Sequence, residues 1–110
     1  MDLNGLSDPY VLVTLLDGDG KSLQPKPDQT KTIKKTLNPI WNSTFSYSNE
    51  SSATQNCMLV QFEVMDWDRL TSDDFMGYAQ LPLSEVVDKY ASNPDVASHK
   101  FDLDMKRRPE

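Results

Sequence analysis

Residues 62–77 read FEVMDWDRLTSDDFMG. Phe62 and Val64 alternate with Glu63 and Met65, which is the period of a half-buried strand. The strand runs into Asp66, Trp67 and Asp68, crosses a short polar loop, and meets Ser72, Asp73 and Asp74 before a new strand opens at Phe75. Three or four carboxylates are therefore held at the lip of a sheet. Ionised carboxylates this close repel one another, and a hard cation is the simplest thing to offset the repulsion. Calcium takes about six to eight oxygen ligands from flexible, carboxylate-rich loops. With 17 acidic residues among 110, composition alone can also produce an acidic loop, so the odds rest on the remainder of the chain.

The length allows one small domain with a modest core. Hydrophobic residues make up 37% and charged residues 25%, a globular composition that argues against disorder. The formal net charge of -6 disfavours nucleic acid as a partner, and disfavours anionic lipid unless something neutralises the surface locally. The only cysteine, Cys57, rules out an intrachain disulfide and fits a reducing, cytoplasmic compartment. It reads as a space-filling residue. The single histidine, His99, has no cysteines beside it, which argues against zinc. No run is long enough to span a membrane, and residue 1 starts no signal peptide. Membrane contact is therefore expected to be peripheral.

In chain order, residues 1–9 read as loop, with turn signals at Asn4-Gly5 and Asp8-Pro9 and two further carboxylates, Asp2 and Asp8. Tyr10 to Leu16 is nearly continuous apolar strand. Asp17-Gly18-Asp19-Gly20 fails the EF-hand pattern, with Lys21 and Ser22 where a ligand and a glycine belong, and reads as a hairpin turn. Gln29 to Lys35 is expected as a polar strand. Its Lys31, Lys34 and Lys35 form a basic patch, either an edge protected by charge or a landing site for a phosphorylated headgroup. Trp41 reads as a packing residue, Ser43 to Tyr47 as a strand, and 49–56 as a polar loop. Cys57 to Met65 alternates, with Met58, Val60, Phe62 and Val64 facing in. Phe75 to Leu81 is a strand ended by Pro82. Ser84 is expected to cap a short helix packed through Val86, Val87 and Tyr90. His99 to Leu103 is expected as a last strand. Six strands, one late helix and frequent turns predict an all-β antiparallel sandwich with the helix in a late loop.

Loops at one end of a sandwich gather close together. If the loop before Tyr10 and the loop after Val64 share an end, five carboxylates converge there: Asp2, Asp8, Asp66, Asp68 and Asp74. Asp66 and Asp68 leave an extended segment in the same direction, and Asp74 returns from the far side.

Three motifs at this point resemble the C2 domain family. They are DLNGLSDPYV at 2–11, TKTIKKTLNPIWN at 30–42 and FEVMDWDRLTSDDFMG at 62–77, and they run from end to end in the family's order. The second and third are most similar to the amino-terminal C2 domains of ubiquitin ligases that carry WW repeats and a HECT catalytic domain. The resemblance implies a Greek-key sandwich and a non-catalytic, calcium-dependent module that binds phospholipid. By motif, Asp2, Asp8, Asp66, Asp68 and Asp74 match the family's calcium ligands, for about two or three ions. Backbone carbonyls would fall at Met1 and Trp67, and Ser72 matches a position that can complete the shell. Leu3, Leu6, Arg69 and Leu70 would sit at the loop tips, with Trp67 as an interfacial anchor. Lys31, Lys34 and Lys35 lie where some C2 domains bind phosphoinositides, while phosphatidylserine is the expected headgroup at the calcium end. Asp73 has no ligand role in the pattern. The family usually has eight strands, so residues 1–110 are expected to form a single domain without the strands before Asp2 and after Pro109.

Two other classes compete with this reading. One is a protein-interaction or autoinhibitory module that calcium releases, for which the complete aspartate set argues less well. The other is an enzyme, which the single histidine and the lack of a visible nucleophile–base pair disfavour.

Overall fold

The computed structural model describes residues 7–48, 50–96 and 98–106. Its elements are β1 (Pro9–Leu16), β2 (Asp28–Gln29), α1 (Ser52–Asn56), β3 (Leu59–Asp66), β4 (Asp74–Pro82) and α2 (Leu83–Ser92). The four strands form one antiparallel sheet in the order β2-β1-β3-β4. The fold is all-β, as the strand pattern predicts. After β2 the chain makes a long excursion and comes back as β3 on the other side of β1, the type of return found in Greek-key order.

Position explains composition. β1 lies between β2 and β3, and all its residues but Leu12 are buried. A strand covered on both faces has no reason to alternate, hence the run YVLVTLL, apolar but for Thr14. β3 pairs with β1 from Leu16↔Leu59 to Pro9↔Asp66. One face of the sheet thus carries Val11, Val13 and Leu15 opposite Val64, Phe62 and Val60, continued on β4 by Gly77, Ala79 and Leu81. The other carries the polar pairs Thr14↔Gln61 and Gln61↔Gln80. Truncating a buried leucine such as Leu15, 4% exposed, to alanine removes about 2–5 kcal/mol.

Irregular chain covers the apolar face. Trp41, Phe45 and Met105 line a cleft of about 410 Å³ over Val11, Val13, Phe62 and Val64. Trp41 is half-buried and its indole N–H donates to the Pro9 carbonyl at 3.0 Å, so it packs as expected. The expected strand over Ser43 to Tyr47 does not form. Asn42 sits at φ 50, a left-handed turn that breaks an extended run.

Three further expectations are corrected. The strand over Gln29 to Lys35 is regular only at Asp28–Gln29. Beyond it the backbone tracks β1 at uneven spacing, with Thr30, Ile33 and Thr36 N–H donating to Val11, Pro9 and Ser7 carbonyls, and Lys35 turns left-handed at φ 55. His99 to Leu103 is not a strand. It docks on α2, with His99 edge-on to Tyr90 at 4.1 Å, Phe101 beneath Lys89, and the Lys100 carbonyl accepting from Lys89 Nζ. Of the described residues in this tail, only Lys106 exchanges backbone hydrogen bonds with β4, at Tyr78, an approach that Gly77 permits, since a Cβ there would stand 3.3 Å from the Lys106 carbonyl oxygen. Finally, α1 forms inside the stretch read as loop, capped by the Ser51 hydroxyl accepting from Thr54 N–H.

Smaller corrections concern caps and faces. Ser84 lies inside α2, which starts at Leu83 without a side-chain cap. Val87 and Tyr90 are 58% and 42% exposed, leaving Val86 as the half-buried residue of that stripe. Met58 precedes β3 and is 59% exposed. Cys57 is buried as expected, and burial pushes its thiol pKa up.

Candidate metal centre

The Pro9 end of β1, the Asp66 end of β3 and the Asp74 end of β4 coincide, because Pro9 pairs with Asp66 and Asp66 with Asp74. A bulge between Val64 and Met65, where Met76 is the extra residue on β4, bends the ladder just before this end. Bulges re-aim the side chains that follow them. The result is a cleft of about 300 Å³ lined by Asp8, Asp66, Trp67, Asp68, Arg69, Leu70 and Asp74.

Backbone N–H groups hold the carboxylates. The Asp8 N–H donates to Asp66 Oδ1 at 2.9 Å, and the Lys35 N–H donates to Asp8 Oδ1 at 2.7 Å. The Trp67 N–H donates to the Asp8 carbonyl at 2.9 Å. Asp68 folds its loop around itself. Its Oδ1 accepts from Leu70 and Thr71 N–H, and its Oδ2 from the Thr71 hydroxyl at 2.8 Å. The Leu70 N–H and then the Thr71 hydroxyl hold the Asp68 carboxyl below the usual carboxylate range. Asp66 is the buried member of the set, 8% exposed.

Four of the five predicted aspartate ligands meet here: Asp8, Asp66, Asp68 and Asp74. Trp67, Arg69 and Leu70 join them on the cleft wall. Leu70 is 83% exposed, as a loop tip should be. Met1, Asp2, Leu3 and Leu6 lie outside the described residues. Ser72 is exposed in the loop and does not line the cleft. Lys34 and Lys35 do not sit on a strand face, yet the left-handed turn at Lys35 brings them to the rim. Lys34 Nζ lies 5.4 Å from the centroid of the Trp67 ring, within cation–π reach. Lys31 is exposed on the same strap.

The donor set suits a hard cation. Every candidate ligand is an oxygen, with no histidine or thiolate in the cleft, and oxygen-only sites favour calcium over zinc or copper. Among the described residues no three acidic side chains converge on one point that an ion could occupy, because several of their oxygens point at N–H groups instead. Two residues not assigned from the sequence also belong to this end. Asp73 accepts from the Asp68 N–H at 2.9 Å and from the Tyr10 hydroxyl at 2.5 Å. A contact across 63 positions leaves no local signal; a tyrosine at the head of an aliphatic strand is the sole hint.

Known proteins sharpen the picture. The family model for the C2 domain matches residues 1–103. The protein kinase C eye isozyme of Drosophila melanogaster is 40% identical over 87 residues, 78% of this chain and 12% of that kinase. A probable serine/threonine-protein kinase of Dictyostelium discoideum is 41% identical over 86 residues, 78% of this chain and 8% of that protein. The crystal structure of a RIM C2 domain from Drosophila superposes with a TM-score of 0.61 at 28% identity, covering 76% of this chain and 65% of that one. The chain therefore spans about a tenth of the length of these kinases, and the match concerns a module of theirs.

Proposed function

The chain belongs to the C2 domain family, and from that premise we propose that it is a calcium-dependent module that binds anionic phospholipid. The observation that carries this reading is the set of four aspartates from three strand ends around one open cleft, with Leu70 projecting beside it. Bound calcium, about two or three ions, would supply positive charge and coordination positions for lipid phosphate or carboxylate oxygens. Asp8, Asp66, Asp68 and Asp74 would hold it, with Asp2, the Met1 and Trp67 carbonyls and Ser72 completing the shell. About four to six added positive charges would roughly cancel the formal net charge of -6, which otherwise repels an anionic surface.

The remaining residues do the docking. Leu70, with Leu3 and Leu6, enters the interface, each buried leucine adding up to about 1.5–3 kcal/mol. Trp67 and Arg69 anchor at headgroup depth. Lys31, Lys34 and Lys35, on the strap at the rim, contact phosphatidylserine or phosphoinositide headgroups. The domain performs no chemistry itself. It is cytoplasmic, moves to membranes when calcium rises, and serves a larger regulatory enzyme. The motif similarity favours a ubiquitin ligase of the WW/HECT kind, and the similarity to two kinases offers a second host. A second reading, a protein-docking or autoinhibitory module, is favoured by Ile40 and Leu37, 74% and 56% exposed on one loop.

Sedimentation of the 110-residue chain with phosphatidylserine vesicles, in calcium and then in chelator, tests the proposal. Pelleting only in calcium is expected. A folded protein that pellets in neither condition overturns it in favour of the docking reading.

A further inference from the structure

The loop that carries Asp68 is attached to the core by an aromatic side chain from another strand. Tyr10 is 7% exposed, in register with Met65 on β3. Its hydroxyl nevertheless reaches past β3 to donate to Asp73 Oδ2, and Asp73 Oδ1 accepts the Asp68 backbone N–H. Asp68 then collects Leu70 N–H, Thr71 N–H and the Thr71 hydroxyl. The tie therefore runs from a buried ring through one carboxylate to the backbone of a candidate ligand, and onward to the loop tip. Every residue from Asp68 to Ser72 is exposed, so packing alone cannot fix this loop.

We infer that Tyr10 and Asp73 are positioning residues, a strut that holds the 67–73 loop in place for the cation, and that Asp73 is not itself a ligand. The inference rests on the calcium reading above. Its physical content is preorganisation. A loop ordered before binding loses less freedom on binding, and affinity rises accordingly.

Three variants of the full chain separate strut from ligand. Tyr10→Phe keeps the ring and its packing and removes the donor. Asp73→Ala removes both hydrogen bonds. Asp73→Asn retains both, since its amide oxygen accepts from Asp68 N–H and its amide nitrogen donates to the tyrosine oxygen. Two readouts are needed: backbone hydrogen exchange of residues 66–74 in chelator, and calcium affinity by calorimetry. Tyr10→Phe and Asp73→Ala are expected to exchange faster without calcium and to bind calcium about tenfold more weakly. Asp73→Asn is expected to exchange like the parent and to bind within about threefold of it, the difference being one screened charge. A silent Tyr10→Phe overturns the strut. So does an Asp73→Asn as weak as Asp73→Ala, which would make Asp73 a ligand. A parent chain that binds no calcium defeats the calcium reading, and the exchange arm still decides whether the strut exists.

Discussion

Two acidic turns lie beside the two ends of β1, one following it and one joining β3 to β4, and their local chemistry is similar. At one end Asp17 Oδ1 accepts from Asp19 and Lys21 N–H, both at 2.9 Å. At the other, Asp68 Oδ1 accepts from Leu70 and Thr71 N–H at 2.8 and 3.2 Å. Backbone donors depress both carboxyls, chiefly Lys21 N–H for Asp17 and Leu70 N–H for Asp68. The surroundings differ. Asp17 closes a hairpin turn with Gly20 at φ 82 and Lys21 alongside, and its neighbours come from its own turn. Around Asp68, strand register gathers Asp8, Asp66 and Asp74 from distant parts of the chain. A turn made from its own residues needs no ion. A cleft assembled from three strand ends concentrates charge that a hydrogen-bonded turn cannot dissipate.

The largest effect expected from this contrast is a change of ligands. Asp66→Asn combined with Asp68→Asn should weaken calcium binding at least about a hundredfold and abolish pelleting with vesicles, since two ligand charges are lost. Asp17→Asn should shift calcium affinity less than about twofold. Calorimetry on the two variants side by side checks this, and equal losses would show that the ends of β1 are not distinct. A smaller effect belongs to the loop tip. Leu70→Ser should lower vesicle affinity by up to about tenfold while calcium affinity without lipid stays at the parent value. A fall in both would mean that Leu70 supports the loop rather than the membrane.

The smallest effect is one of pH. The Asp68 carboxyl is depressed in the folded protein, so the stabilisation it contributes is complete above the ordinary value of 3.8 and fades as pH falls through the lower folded value. Asp17 has the same sign. Thr71→Ala deletes one donor to Asp68 and should raise its titration midpoint toward the ordinary value, leaving Asp17 unmoved. Carboxyl chemical shifts followed by NMR between neutral and acid pH report both groups at once. Movement of Asp17 would couple two turns that the geometry keeps separate.

Sequence pattern was a good guide wherever an element carries a long periodic or apolar signal. β1, β3 and β4 fall within one or two residues of their expected bounds, and α2 starts one residue before its expected cap. The guide failed where backbone conformation overrides side-chain type. QTKTIKK has strand composition, yet Lys35 takes a left-handed turn that delivers its N–H to Asp8. Ser43 to Tyr47 alternates well enough, but it follows a second left-handed residue, Asn42. His99 and Phe101 set their rings against Tyr90 and Lys89 of α2 instead of pairing along a strand. At the candidate site the carboxylates were legible because they cluster in two motifs. The hydrogen bonds that hold them were not, since Tyr10 to Asp73 and Lys35 to Asp8 join residues that only the folded register brings together.

That register also sets a timetable for synthesis. The pairing of β1 with β3 matches Leu16 to Leu59 and Pro9 to Asp66, with roughly half the chain between partners, and such non-local closure is slow compared with helix or hairpin formation. Asp8 is made well before Asp74, and both line the same cleft. A nascent chain leaving the ribosome carries Asp8 without its cleft partners until Asp66, Asp68 and Asp74 have been made. The cleft comes into being as one event, after β4 has emerged.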